Sequence, residues 1–129
     1  MINQNWQAVL FVRPFGKERP RLGKYNNTYT PSKTKQNEAE LKIWICQNKP
    51  PRFKGPLKVI INFCLARPAT KEGRLRKYPN VKPDLDNMIK TILDAGNGLI
   101  WNDDNQIIKI EATKTYSLPE RIEISVEEL

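Results

Sequence analysis

The chain has 129 residues, a net charge of +8 and no histidine. This is one domain's worth of sequence (residues 1–129), with room for a modest core and not for two. The missing histidine excludes Ser-His-Asp and Cys-His catalysis in their usual forms, His-based zinc sites and histidine general-base nucleases, leaving carboxylates, lysine, hydroxyls or a hard metal ion bound by oxygen.

The N-terminal MINQNWQAVLFV lacks an apolar signal region, and no apolar run reaches membrane-spanning length, so a soluble, unexported, cytoplasmic protein is expected. QAVLFVRP predicts a first strand, Gln7 to Val12, closed by Pro14. KERPRLGKYNNTYTPSKTK mixes Gly, Pro and Asn with basic residues and predicts a loop or ragged hairpin. Thr30, Pro31 and Ser32 signal a helix start, and Ala39, Leu41, Trp44 and Ile45 continue at helical spacing to about Asn48. After KPPRFKGP, the residues Leu57, Val59, Ile61, Phe63 and Leu65 alternate with Lys58, Ile60, Asn62 and Cys64, the period of a strand. ARPATKEGRLRKYPNVKP reads as a long basic loop, of the kind usually functional or mobile in compact domains. Leu85, Met88, Ile89, Ile92 and Leu93 then define a helix ending near Gly96 or Gly98.

Two further strands, about Ile107–Tyr116 and Arg121–Glu127, meet at SLPE and suggest a hairpin. The order β-α-β-α-β-β predicts an α+β fold, a mixed or mostly antiparallel sheet with two main helices packed on it. The expected core draws on Leu57, Val59, Ile61, Phe63, Ile89, Ile92, Leu93, Ile108, Ile110, Ile122 and Ile124. Trp6 and Trp101 have no evident place. Cys46 and Cys64 fit no C-x-x-C spacing and are expected to be buried free thiols in a reducing compartment.

Charge is unevenly distributed. Before Asp84 stand 18 Lys and Arg against four acids, and from Asp84 onward four against ten. A basic front half suits a polyanion, most simply nucleic acid. All five aspartates (Asp84, Asp86, Asp94, Asp103 and Asp104) fall in KPDLDNMIKTILDAGNGLIWNDDNQI. Asp84 or Asp86 could be a helix N-cap, and an Asp-Asp turn is ordinary loop chemistry. Yet Asp86, Lys90 and Asp94 share one helix face, and a returning chain can bring Asp103 and Asp104 toward Asp84 and Asp86. Gathered carboxylates repel, and a divalent cation removes that penalty. Mg²⁺ takes a few carboxylate oxygens and leaves positions for water and phosphate, the arrangement for metal-assisted phosphodiester hydrolysis. Lys90 is placed to stabilise charge on the phosphate or to orient water.

The cations Arg13, Lys17, Arg19, Arg21, Lys24, Arg67, Arg74, Arg76 and Lys77 are candidate phosphate contacts, with Lys33 and Lys35 near a helix start. Any one alone is also an ordinary solvated charge; as a set they suit sequence-independent binding. Tyr25 or Tyr29 is a candidate for stacking on an opened base, with ordinary packing as the alternative. These residues leave three functions open: a nuclease, a nucleic-acid-binding module whose aspartates only cap and turn, and a Mg²⁺ nuclease acting on another branched DNA or RNA.

The window resembles the signature of the RusA family of Holliday-junction resolvases, through Asp84-Leu85-Asp86-Asn87, Lys90, Asp94, Asn97-Gly98 and Asp103-Asp104-x-Gln106-Ile107. KERPR (Lys17 to Arg21) and TYTPSKT (Thr28 to Thr34) resemble the family's front half. The resemblance implies a Mg²⁺-dependent endodeoxyribonuclease of bacteria and their phages that nicks four-way junctions in pairs, acts as a homodimer and uses one or two ions per subunit. It also implies Asp84, Asp86 and Asp104 as metal-binding carboxylates, Asp103 as adjacent support and Lys90 as the catalytic lysine; Asp94, two helical turns beyond Asp86, reads as structural. Gly96 departs from the pattern, where a larger apolar residue is expected, and would loosen the link between helix and Asp-Asp turn.

Overall fold

A computed structural model describes residues 4–16, 21–22, 28–29 and 32–129, with side chains described for 4–16 and 35–129. Along the chain run strand β1 (Asn5–Leu10), the two-residue strands β2 (Arg21–Leu22) and β3 (Thr28–Tyr29), helix α1 (Ser32–Gln47) and strand β4 (Leu57–Leu65). A short helix α2 (Lys71–Leu75), helix α3 (Leu85–Gly96), a 3-10 turn (Asp104–Gln106) and strands β5 (Ile107–Tyr116) and β6 (Arg121–Glu128) follow. The expected α+β fold is present: one mixed sheet in the order β1-β6-β4-β5, antiparallel except for the parallel pair β4 and β5. β2 and β3 pair antiparallel as a separate small ribbon, the ragged hairpin expected of that segment.

β4 is the spine of the sheet, pairing with β5 on one side and β6 on the other. Leu57, Val59, Ile61 and Phe63 are fully buried, and Ile61 lies in register between Ala112 of β5 and Ile124 of β6. The same face continues through Trp6, Ala8 and Leu10 of β1 and Ile122, Ile124 and Val126 of β6. Helix α1 packs on β1, α3 packs on β5, and the two helices touch each other. Leu41 and Ile45 of α1 and Met88, Ile92 and Ala95 of α3 close that face. Each large side chain so buried contributes about 1.5–3 kcal/mol.

Several expectations need correction. The strand read as Gln7–Val12 runs Asn5–Leu10, because Trp6, Ala8 and Leu10 are the residues that face Val126, Ile124 and Ile122. The last two strands form no hairpin: β5 and β6 lie on opposite sides of β4, and their connection crosses its end, with Ser117 N donating to Leu65 O at 3.1 Å and Ala66 N to Glu120 Oε2 at 3.3 Å. Ile108 is 68% exposed rather than in the core, since the β4–β5 register shifts there and leaves it as an extra residue between Ile107 and Lys109. Ile89, Leu93 and Ile110 are partly buried against the core. Cys64 is buried, but Cys46 is exposed on α1, and both thiols are free.

The supposed loop from Ala66 to Pro83 contains α2, whose N-cap Thr70 accepts from Gly73 N at 3.0 Å. No apolar stripe announces this helix, because Leu75 points outward and is 77% exposed.

The two unplaced tryptophans are core residues. Trp6 donates Nε1–H to Asn48 O at 2.9 Å, tying β1 to the end of α1. Trp101 is fully buried and donates Nε1–H to Asn97 Oδ1 at 2.9 Å. Its ring lies on Gly96, where a Cβ would meet Trp101 Cζ2 at 2.5 Å. Gly96 therefore tightens the connection between α3 and the Asp-Asp turn, the reverse of the loosening expected. Replacing Gly96 with Ala should lower stability by about 1–3 kcal/mol despite alanine's better helix propensity, because the added methyl must displace a packed indole. A shift of the urea midpoint to lower concentration measures this.

Candidate active site

α3 forms because its buried positions Met88, Thr91, Ile92, Ala95 and Gly96 make one stripe, leaving Asp86, Asn87 and Lys90 exposed on the other side. Asp84 is its N-cap residue, but only through the backbone: Met88 N donates to Asp84 O at 3.1 Å, while the carboxylate makes no capping hydrogen bond. The capping explanation for Asp84 thus leaves its side chain unused. Nor does any ion pair among the described residues join Asp86 to Lys90, so the helical salt bridge is absent too. Both carboxylates at this end of α3 are exposed to solvent.

The Asp103-Asp104 turn is held by Gln106. Its side-chain Oε1 accepts from Asn102 N at 2.8 Å and Asp103 N at 3.0 Å, and its Nε2 donates to Phe53 O and Gly55 O, both at 3.0 Å. One amide thereby satisfies four partners and pins the turn to the segment before β4. Arg52 Nε adds a hydrogen bond to Asn102 Oδ1 at 3.1 Å.

The Asp104 carboxyl is perturbed. Desolvation pushes its pKa above the ordinary aspartate range, aided by a hydrogen bond shared with Asp103 and by the charges of Asp103 and Asp94. A hydrogen bond with Asn97 opposes the shift. Asn97 therefore accepts from the buried Trp101 and also binds the Asp104 carboxyl, a link from core to site.

The five aspartates fall at two ends of α3. Asp84 and Asp86 stand at its start, while Asp104 lies with Asp103, Asn97 and Asp94 at its finish. At about 1.5 Å of rise per residue, Asp94 is roughly 12 Å along the helix axis from Asp86. Among the described residues no three carboxylates are close enough together to hold a metal ion. The donors are nonetheless the hard oxygens Mg²⁺ prefers, and Mg²⁺ is commonly held by one or two carboxylates plus a substrate phosphate rather than by a full protein cage. The expected approach of Asp103 and Asp104 to Asp84 and Asp86 is not seen, because the Asp-Asp turn is held at the finish of α3; the unused Asp84 carboxylate at one end and the anionic excess around Asp104 at the other each suit such an ion separately.

The basic residues divide by their bonds. Arg67 lies over the Tyr116 ring, 4.5 Å from its centroid, and donates to Gly73 O and Arg76 O; Arg76 donates to the Tyr116 hydroxyl at 3.2 Å. Both guanidiniums are engaged in holding the 66–83 segment to β5. Arg74, Lys77 and Lys35 are exposed. Arg13, 81% exposed, reaches Glu120 at 3.8 Å. Gly16 abuts Asn87, where a Cβ would meet Asn87 Cβ at 3.0 Å, so the chain passes the first turn of α3 immediately before Lys17. Lys17, Arg19, Lys24 and Tyr25 lie outside the described residues, as do the side chains of Arg21, Tyr29 and Lys33. Sequence reasoning assigned no role to Asn97, Gln106 or Trp101, although Asn97 and Gln106 stand within the quoted motif and so carried a signal.

Comparison with known proteins gives the family. The family model described as endodeoxyribonuclease RusA matches residues 12–127. The chain is 29% identical over 136 residues to the uncharacterized protein YqaN of Bacillus subtilis (strain 168), covering 94% of each. It is 34% identical over 97 residues to the crossover junction endodeoxyribonuclease rusA of Lactococcus phage r1t, covering 72% of each.

The raised Asp104 pKa makes a signed prediction. An acid whose folded pKa is raised contributes stability below its ordinary value of about 3.9 and loses it as pH rises through the folded value. Asp104→Asn removes that titration. The variant should gain stability relative to the parent as pH climbs from below about 3.9 toward neutrality, and the gain should then level off. Thermal melting across this range in metal-free buffer reads it; a difference independent of pH would contradict the assignment.

Proposed function

Because the chain belongs to the RusA family of endodeoxyribonucleases, we propose that it is a Mg²⁺-dependent nuclease that resolves four-way DNA junctions by paired symmetric nicks. The observation that carries this reading is a pair of aspartate side chains with no structural task among the described residues: Asp84 caps α3 with its backbone alone, and Asp86 makes no ion pair with Lys90. Asp84 and Asp86 at the start of α3, and Asp104 with Asp103 beside it at the finish, would each offer carboxylates to Mg²⁺, one or two ions per subunit. When bound, the ion supplies Lewis-acid polarisation of a phosphoryl oxygen and acidifies a water.

The chain's own residues supply the rest. Lys90, one turn beyond Asp86 on the exposed face, stabilises charge accumulating on the phosphate. Asn97 and Gln106 hold the Asp103-Asp104 turn at a set position, so Asp104 need not be ordered when substrate arrives. Arg13, Arg74 and Lys77, together with Lys17, Arg19, Arg21 and Lys24, contact the DNA backbone, while Arg67 and Arg76 position the segment that carries Arg74 and Lys77.

Two symmetric nicks call for two symmetry-related sites, hence a homodimer. A surface that supports one lies along the β1 edge, where Val9, Phe11 and Ile60 are 39%, 49% and 40% exposed around a groove of about 800 Å³ that Trp44 of α1 also lines. β1 is an edge strand, and residues 1–12 carry no charged side chain. The other edge, β5, carries Lys109, Glu111 and Lys114. An uncharged apolar edge is a liability in a monomer and suits a second copy of a strongly basic chain. No helix among the described residues is long and apolar enough to cross a membrane. The proposed place of action is the nucleoid of a bacterial or phage-infected cell.

Asp86→Asn should abolish cleavage of a synthetic four-way junction in Mg²⁺ while retaining junction binding, since it removes a ligand without altering the basic surface. Normal cutting by this variant would overturn the site. Lys90→Ala should slow cleavage about 100-fold or more with little loss of affinity; equal losses in both would make Lys90 a DNA contact instead. Phe11→Lys should shift the protein from dimer to monomer in analytical ultracentrifugation.

A further inference from the structure

The 71–82 segment exposes large apolar side chains where a phosphate-binding surface should have none. Leu75 is 77% exposed, Tyr78 64% and Val81 40%. Around them stand Lys71, Arg74, Lys77 and Lys82, against the single acid Glu72. Such a surface suits a polyanion rather than an acid-poor protein partner.

The segment is a fastened platform. Lys114 Nζ donates to Val81 O, Arg76 to the Tyr116 hydroxyl, and Asn80 N to Tyr78 O at 2.9 Å. Pro79 is buried between the exposed Tyr78 and Asn80, so the backbone beside the ring is anchored while the ring projects. Lys77 Nζ lies over the Tyr78 ring, 5.4 Å from its centroid. That occupies one face with a cation and leaves the other face to solvent.

Against an intact duplex, Leu75 and Tyr78 would meet only phosphates and water. They find apolar partners only where base stacking is interrupted and a base face is open. Tyr78 is six residues before Asp84, at most about 20 Å of extended chain. At 3.4 Å of rise per base pair, that is within about six base-pair steps of Asp84.

We propose that Tyr78, with Leu75 three residues before it in the chain, stacks on an unstacked base at a DNA branch point, while Arg74 and Lys77 hold the flanking phosphates. This is the element that distinguishes branched from linear DNA, and it rests on the nuclease reading only for its purpose. Tyr78→Ala should weaken binding to a four-way junction about tenfold or more and leave duplex affinity and the salt slope unchanged. Tyr78→Phe should restore junction binding. With 2-aminopurine at the branch point, the parent should quench its fluorescence on binding and Tyr78→Ala should not. Leu75→Ser should show a smaller loss of the same kind, and Lys77→Met should instead reduce the salt slope by about one.

Equal losses on junction and duplex, no loss on either, or quenching that survives Tyr78→Ala would each overturn the proposal. The position is exposed, so an unchanged melting temperature separates these outcomes from misfolding. Parallel cleavage by the parent protein separates the two readings. Branch discrimination without cutting sinks the nuclease and leaves this inference standing. Cutting that ignores Tyr78 sinks this inference alone.

Discussion

The seat of Trp101 on Gly96 is the constraint on which the site depends. A fully buried indole against a helix residue without a Cβ brings the chain leaving α3 into contact with that helix at once. The ring also needs a partner for its N–H, because a buried unsatisfied donor costs about 1–3 kcal/mol. Asn97 provides it, and the same side chain hydrogen-bonds Asp104. Packing, polar satisfaction and the placement of a reactive carboxyl are thus one local arrangement.

Gln106 completes that arrangement from the other side. An amide with both its donors and its acceptor oxygen occupied by backbone groups has little freedom left, so the Asp-Asp turn is held from α3 through Asn97 and from the 53–55 segment through Gln106. Asp104 is kept where burial and neighbouring charge disfavour its ionisation. Such a carboxylate gains more than an ordinary one from a cation. Asp84 and Asp86 stand exposed at the other end of the helix.

The positive charge is likewise sorted by structure. Arg67 and Arg76 look in the sequence like phosphate contacts equal to Arg74 and Lys77, but they face the Tyr116 ring and backbone carbonyls. They make a loop-like stretch into a platform on the end of β5. This explains how a segment without an apolar stripe holds a defined shape: its order comes from cation–π contact and hydrogen bonds rather than from burial.

The sequence by itself determined the main elements, the α+β class and the aspartate window, because hydrophobic periodicity and motif spacing are local properties. Helix α1 and strands β4 and β5 lie within a residue of their expected bounds, and Leu57, Val59, Ile61 and Phe63 alternate as a core strand must. Only the tertiary structure decided that β5 and β6 flank β4 instead of pairing, since strand partnership is set by contacts distant in sequence and SLPE permits either. It also decided that Ile108 faces solvent, because one extra residue in a ladder reverses a side chain's face. Gly96 shows the limit most clearly: a glycine's meaning is what sits where its Cβ would be, and that is an indole five residues onward.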